Sequence, residues 1–308
     1  MSKSTGTKHR GMPASKRSKE RQAYLMIAPQ LIGFFVFSIY PILWVFRYSF
    51  FEYDGITEAF VGFDNFLRVF RDVAFWKSIV NTFIIAYGKL IIELPLALVA
   101  ALLISSKAVK AKKLFAVGYY LPCVTGTAVN CLIFSFLFAT VNGIVNDLLM
   151  KMGMISAPIN WFGAKWSAMF VIITESLWAG FAANVLYFTA GVQNISEDVL
   201  EAAEIDGANK IQTFFHVTLP MLAPVIRIVL MLAMINGVKI MNEVLLLTNG
   251  GPANETNVVM LHIYKMFFDT SGIRQYGYAS ALGVVTSIIL GLMTFVYLAI
   301  SKKTEELN

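Results

Sequence analysis

LEAAEIDGANKIQTFFHVTLP, residues Leu200–Pro220, stands between two long apolar stretches and breaks their pattern. Over this segment the chain turns acidic, then amphipathic, and stops at Leu219-Pro220. Just before it, Ser196 is a good helix N-cap, and Glu197 and Asp198 suit the positive end of a helix dipole. Val199, Leu200, Ala202, Ala203 and Ile205 then give a compact helix whose alanines admit a close neighbour. Asp206-Gly207 supplies the stop, because glycine readily takes the left-handed conformation that follows a helix. Ile211, Phe214 and Phe215, set against Lys210 and Gln212, form a second amphipathic turn, and the next apolar helix is expected to start at Leu219-Pro220. A helix that merely caps a bundle and a socket for a protein partner both fit this spacing. Interfacial helices usually carry Lys and Arg on the polar face, whereas this one opens with acidic residues that anionic lipid repels. The charges favour the socket.

The surroundings of this segment are those of a membrane protein. Of 308 residues, 57% are hydrophobic and 14% charged, with a mean hydropathy of +0.66. Soluble domains carry about 25% charged residues, so lipid is the expected solvent. Runs able to cross a ~30 Å hydrocarbon core lie near Tyr24–Phe46, Ile79–Ile104, Leu114–Ala139, Trp166–Val192, Met221–Leu247 and Gly277–Ile300. Pro29, Pro41, Pro95, Pro122 and Pro224 fall inside them, which membrane helices tolerate because neighbours satisfy the freed backbone groups. The sequence thus predicts an all-α, polytopic membrane protein of six transmembrane helices, with the polar helix between spans 4 and 5.

Basic residues orient the bundle. Lys3, Lys8, Arg10, Lys16, Arg17, Lys19 and Arg21 precede span 1, and Lys107, Lys110, Lys112 and Lys113 follow span 2. Lys210, Lys302 and Lys303 lie on the same side, whereas the first loop on the other side carries Glu52, Asp54, Glu58, Asp64 and Asp72. The basic side, with both termini and the polar helix, is expected to be cytoplasmic. Residues 1–22 read as a disordered basic tail, 23–301 as the transmembrane domain with the polar segment at about 196–220, and 302–308 as a C-terminal tail. The basic tail lacks interleaved aromatics, so it points to anionic membrane lipid and away from nucleic acid. The first apolar run is too long for a cleavable signal peptide, and no small-residue cleavage site follows it. Cys123 and Cys131, both in span 3, read as small apolar packing residues without metal spacing.

With these residues in view, EAAEIDGANKIQTFFHVTLP resembles the EAA loop of binding-protein-dependent ABC importer permeases. LTNGGPANET (Leu247–Thr256) resembles the Thr-x-Gly-Gly-Pro signature of the carbohydrate-uptake branch. YLMIAPQLIGFFVFSIYPI in span 1, GIVNDLL after span 3 and INWFG at Ile159–Gly163 add to the likeness, which runs from about Tyr24 to Ile300. The resemblance implies a permease subunit similar to those of maltose-type importers, whose EAA helix is a coupling helix. On that reading Glu201, Ala202, Ala203, Asp206 and Gly207 dock on a cytosolic ATPase: Glu201 and Asp206 by charge, the alanines by close approach, Gly207 by a rigid bend. The implied partners are a second, homologous permease, an ATPase dimer holding ATP and Mg, an extracytoplasmic solute-binding protein and a sugar. Gly250, Gly251 and Pro252 would meet the binding protein.

Charges inside the spans each need an account, because one at bilayer centre costs at least about 2.5–3.5 kcal/mol. Lys89 and Glu93 in span 2, and Lys239 and Glu243 in span 5, are pairs four residues apart, expected to share a helix face with Asn236 beside the second. Glu175 lies in span 4 and Arg227 near the start of span 5. These groups read either as the wall of a polar pathway or as structural pairs. Trp178, Phe181, Asn184, Tyr187 and Phe188 in span 4 would offer a sugar flat apolar faces and an amide, or simply pack.

The chain has no phosphate-binding loop of the GxxxxGK[ST] type, and His9, His216 and His262 show no ligand spacing. No catalytic pairing is visible, so a non-enzymatic subunit without its own cofactor is expected, ATP hydrolysis falling to a partner. An importer of another polar solute such as glycerol-phosphate stays open. A proton-coupled transporter using Glu175 or Glu243 stays open too, although internal repeats and broken helices are not evident in the sequence.

Overall fold

A computed structural model describes residues 14–106, 112–268 and 274–305. Apolar helices dominate. The first is continuous from α1 (Ala14–Phe34) through a π-helical turn (Phe35–Ile39) to α2 (Tyr40–Tyr48). It reaches back to Ala14, into the segment expected to be an unstructured tail; residues 1–13 lie outside the described residues. Next come a small antiparallel hairpin, β1 (Phe51–Tyr53) and β2 (Glu58–Phe60), with Phe51 opposite Phe60, and the short helix α3 (Asp64–Arg71). The long helix α4 (Val73–Ser105) starts at Asp72, whose carboxylate accepts from the Ala74 and Phe75 amides at 2.9 and 3.1 Å.

After α4 the chain forms α5 (Lys112–Val124), α6 (Thr127–Leu137), α7 (Ile144–Lys151) and the second long helix, α8 (Lys165–Gln193). The polar segment is α9 (Glu197–Ile205) and α10 (Lys210–Thr213), and a π-helical turn (Phe214–Thr218) leads into α11 (Leu219–Val238). Then follow α12 (Asn242–Leu247), α13 (Val259–Phe268) and α14 (Tyr276–Glu305), which carries Lys302 and Lys303 in its last turn. Among the described residues, five helices are long and apolar enough to span a membrane, and six if α5 and α6, bent by 109°, make one span.

Three expectations change with this structure. Span 5 begins at Lys210, not at Leu219-Pro220, because α10, the π turn and α11 are one helix. Both π turns end two residues before a proline, Pro41 and Pro220. Proline has no N–H and its ring crowds the carbonyl four residues back, and one widened turn relieves both. Span 3 is broken at Thr125-Gly126, just after Pro122, so Cys123 and Cys131 sit on different helices, both as free thiols. The Asn130 amide donates to the Pro122 carbonyl at 3.0 Å, replacing a helical partner lost at the bend. Span 5 is broken too, between Val238 and Asn242, so broken helices do occur in this chain.

At the centre α4, α8 and α11 pack through Leu94, Ala97, Ala101, Val185, Phe188 and Val229. Gly237 brings α11 onto α4: a Cβ there would lie 3.0 Å from that of Ala86. The Tyr278 hydroxyl donates to Asp72 at 2.5 Å, which places the starts of α4 and α14 on one face. Lys77 and Lys165 both pair with Glu255 and bring the start of α8 to the same face. The ends of α4, α8 and α14 and all of α9 therefore lie on the opposite face, the termini face, where α1 begins and α14 ends. The first apolar helix has no buried residue over its spanning window.

Candidate functional site

On the termini face, α9 is built by local rules. The Ser196 hydroxyl accepts from the Asp198 amide at 3.2 Å, and Gly207 ends the helix at φ +84° while Ala208 N–H bonds the Ala203 carbonyl at 3.0 Å. Asn209 then opens α10 with a capping box: its side chain accepts from the Ile211 and Gln212 amides, and Gln212 returns a bond to the Asn209 amide at 2.9 Å. The Asn-x-x-Gln spacing at 209–212 is the sequence signal of this box. Two capped helices with a left-handed residue between them make a stiff corner.

What the corner presents is uncovered. Glu201, Ala202, Asp206 and Gly207 are exposed and Ala203 is half-buried. Among the described residues neither Glu201 nor Asp206 forms an ion pair. Beside them Ile205 is 85% and Ile211 71% exposed, and Phe215 is exposed as well. Carboxylates without cations, next to bare apolar side chains, suit a protein surface better than a lipid one.

Deeper in the bundle, α11 stops at Val238 and the chain crosses Lys239, Ile240 and Met241 before α12 resumes. Lys239 thus lies in the break and Glu243 in the first turn of α12, not on one face of a single helix as the four-residue spacing suggested. The break nevertheless brings Asn236, Lys239 and Glu243 together around a cavity of about 120 Å³, whose far wall is Ile85, Ala86 and Lys89 of α4 and Ser176 of α8. Lys239 sits at the negative end of α11, and no carboxylate lies within ion-pair distance of it among the described residues. Unwound backbone beside polar side chains is the form that pathway-lining segments take in membranes. Glu175 is fully buried one residue away from Ser176, and neither of its carboxylate oxygens has a hydrogen-bond partner among the described residues.

The Lys89/Glu93 pair exists, with Nζ and Oε2 3.6 Å apart, and it is tied across helices, since the Asn184 amide donates to Glu93 Oε1 at 2.8 Å. Gly180 makes the room, because a Cβ there would lie 2.7 Å from Lys89 Nζ and 2.8 Å from Glu93 Oε1. Asn184 is therefore spent on joining α8 to α4 and does not line the polar cavity. Trp178 and Phe181 do not line it either; Trp178 packs on Phe134, ring centroids 5.6 Å apart, and borders a separate apolar crevice. Phe188 is in the core, and Tyr187 is exposed outside both cavities.

On the face away from the termini, the Gly-Gly-Pro loop is folded on itself. The Thr256 hydroxyl donates to the Gly251 carbonyl at 2.6 Å and meets the Thr248 hydroxyl at 2.9 Å. Gly250 is buried at φ +83°, and a Cβ there would press on Asn257 at 3.3 Å. Asn81 of α4 donates to the Glu255 and Asn257 carbonyls at 2.9 and 3.0 Å. The hydrogen bond from Lys77 holds the Glu255 carboxyl below the usual carboxylate range, with Lys165 adding its charge. Gly250 is thus internal and Gly251 and Pro252 half-buried; the exposed tip is Ala253-Asn254. GIVNDLL and INWFG also prove to be one feature. Asn146 of the first donates to the Ile159 carbonyl at 3.0 Å and accepts from the Ile159 amide and the Trp161 indole, both at 3.1 Å.

Comparison with known proteins agrees with this architecture. The family model for "Binding-protein-dependent transport system inner membrane component" matches residues 24–305. The arabinooligosaccharides transport system permease protein AraP of Bacillus subtilis is 32% identical over 307 residues, covering 96% of each chain. The trehalose/maltose transport system permease protein MalF of Thermococcus litoralis is 30% identical over 291 residues, covering 93% of this chain and 96% of the relative. A chain of a bacterial ABC transporter involved in import of the acidic polysaccharide alginate superposes with a TM-score of 0.84 at 20% identity, over 94% of this chain and 98% of that one. The alginate transporter in complex with an alginate pentasaccharide-bound periplasmic protein gives 0.82 at 20% identity, over 94% and 97% of the two chains. At that identity the structures speak for the fold.

Proposed function

The chain belongs to the family of binding-protein-dependent transport system inner membrane components, and from that membership we infer how its parts serve an importer. It is a permease subunit of a carbohydrate ABC transporter, a multi-pass membrane protein that carries solute and is not itself a catalyst. In this reading α9 and the start of α10 form the coupling surface for a cytosolic ATPase dimer, which holds the ATP and Mg. The carrying observation is the stiff, uncovered corner, where Glu201 and Asp206 form no ion pair among the described residues and stand beside exposed Ile205 and Ile211. Because α10 is continuous with α11, a push on the corner passes along one helix to the break at Lys239–Met241. Closure of the ATPase dimer would so reach the polar cavity.

That cavity, at about 120 Å³, is smaller than the roughly 300 Å³ at which small-molecule sites begin. A second, homologous permease would complete it, with Lys239, Glu243 and Asn236 facing the sugar. The surplus of lysine and arginine on the termini face supports a cytoplasmic location for both termini and for α9. The opposite face, with the Ala253-Asn254 tip, would then receive the solute-binding protein. The alginate transporter's complex with a saccharide-loaded periplasmic protein supports such a partner.

The test is uptake of labelled oligosaccharide by cells carrying Glu201→Ala/Asp206→Ala in place of the wild-type chain. Uptake should be lost while the chain's membrane level is unchanged and the ATPase no longer co-purifies with it. Normal uptake by the double variant would remove the coupling role from this helix.

A further inference from the structure

We propose that the polar cavity beside the β1–β2 hairpin, on the face away from the termini, is a binding subsite for a neutral sugar. The cavity measures about 450 Å³, within the usual range of ligand sites, about 300–1,000 Å³. Its free polar groups come from three segments: Glu52 of β1, Asp64 and Arg68 of α3, and Arg274 and Gln275 just before α14. Tyr278, whose hydroxyl is bonded to Asp72, also lines it and so places it beside the start of α4. It shares no residue with the cavity at the α11–α12 break.

Opposite charges line this one space without neutralising each other. Among the described residues no ion pair joins Glu52 or Asp64 to Arg68 or Arg274. The fold holds the cations apart from them: Arg68 Cζ lies 4.0 Å from the Tyr278 ring centroid, and Arg274 donates to the Tyr276 hydroxyl at 3.2 Å. Gln275 Oε1 is buried there and has no hydrogen-bond partner among the described residues, a deficit that a ligand hydroxyl removes. Asp54, by contrast, is spent on the Ile56 and Thr57 amides at 2.8 and 2.7 Å.

The wall selects the ligand class. A metal cation would meet two guanidinium groups, and a phosphate or uronate two carboxylates. A hydrocarbon chain would leave every one of these groups unsatisfied. A hydroxyl both donates and accepts, so the hydroxyls of a sugar serve carboxylates, guanidinium groups and the Gln275 oxygen together. A side chain of the solute-binding protein, the rival occupant, brings at most one charge and leaves the other pair bare. The proposal rests on the reading in which this face receives the solute-binding protein and its sugar.

The importer, purified with its partner subunits into lipid nanodiscs without solute-binding protein, would be titrated with maltotriose, trehalose and arabinotriose and followed by saturation-transfer NMR. At least one should bind. Glu52→Gln/Arg274→Gln, at two exposed positions, should weaken it by about tenfold or more, the worth of a hydrogen bond to a charged group. No binding of any of the three, or equal affinity in the double variant, would overturn the proposal. A loss caused by Lys239→Ala and not by the double variant would put the sugar in the polar cavity at the helix break and overturn it. Unchanged sugar affinity with weakened capture of the solute-binding protein would make the cavity a docking pocket, and tighter binding of trigalacturonate than of any neutral sugar would contradict the neutral assignment. None of these results touches Glu201 or Asp206, so failure here leaves the coupling experiment to be judged by itself.

Discussion

Gly180→Ala asks whether the buried charges between α4 and α8 depend on one missing methyl group. In the wild type, Lys89 Nζ lies 3.6 Å from Glu93 Oε2, and Glu93 is 1% exposed. The new Cβ would stand 2.7 Å from Lys89 Nζ, 3.3 Å from its Cε and 2.8 Å from Glu93 Oε1. The lysine end is flexible and can swing aside, but Glu93 then keeps only the Asn184 amide as a buried partner. Overpacking of this kind costs about 1–3 kcal/mol. A bare charge at the bilayer centre costs at least about 2.5–3.5 kcal/mol, which the retained Asn184 amide partly offsets. We expect a loss of about 2 kcal/mol, a fall in melting temperature of about 3 °C for a chain of 308 residues. The assay is thermal unfolding of the detergent-purified protein, repeated in a Lys89→Ala/Glu93→Ala background where both crowded groups are gone. There Gly180→Ala should cost less than about 0.5 kcal/mol, because neighbouring residues couple and absent ones cannot. The same loss in both backgrounds would refute the steric account.

Gly250→Ala should lower the melting temperature as well, because the position combines φ +83° with a Cβ contact at 3.3 Å to Asn257; a left-handed non-glycine residue costs about 1–2 kcal/mol. A stability equal to wild type in the same melt would show that the loop relaxes freely. The Lys77–Glu255–Lys165 tie should respond to pH. Its carboxyl is held below the ordinary carboxylate value by the Lys77 hydrogen bond, so its contribution is present above that range and fades as pH falls through the lowered value. Melting curves of wild type and Glu255→Gln should therefore stand apart near neutral pH and converge in acid. A gap that stays constant with pH would count against the tie.

Much of this chain was legible one residue at a time. The apolar runs follow from summed hydropathy, and the corner at Ser196–Gly207 follows from capping rules that involve neighbours within a turn. Such features depend on residues close in sequence, and so they survive the lack of a third dimension. The starts and breaks of the spans were harder. A hydropathy window averages over the Lys239–Met241 break as readily as over a helix, and Lys210–Thr213 is too polar to count as part of one.

The candidate pathway was decided elsewhere. Asn184 and Trp178 lie on one helix with Glu175, and residue type alone offered all three to a sugar. Packing spends Asn184 on Glu93 and sets Trp178 against Phe134, while the break brings Asn236, Lys239 and Glu243 to one cavity. Gly180 and Gly237 are invisible as signals because what they do is leave space for residues far along the chain, Lys89, Glu93 and Ala86. The sequence by itself determined that this chain crosses a membrane and carries a capped acidic corner, since period, hydropathy and capping act within a turn or two. Only the tertiary structure decided which polar groups are spent on each other and which line the cavity at the α11–α12 break, because a buried group's partner is set by the helix it meets.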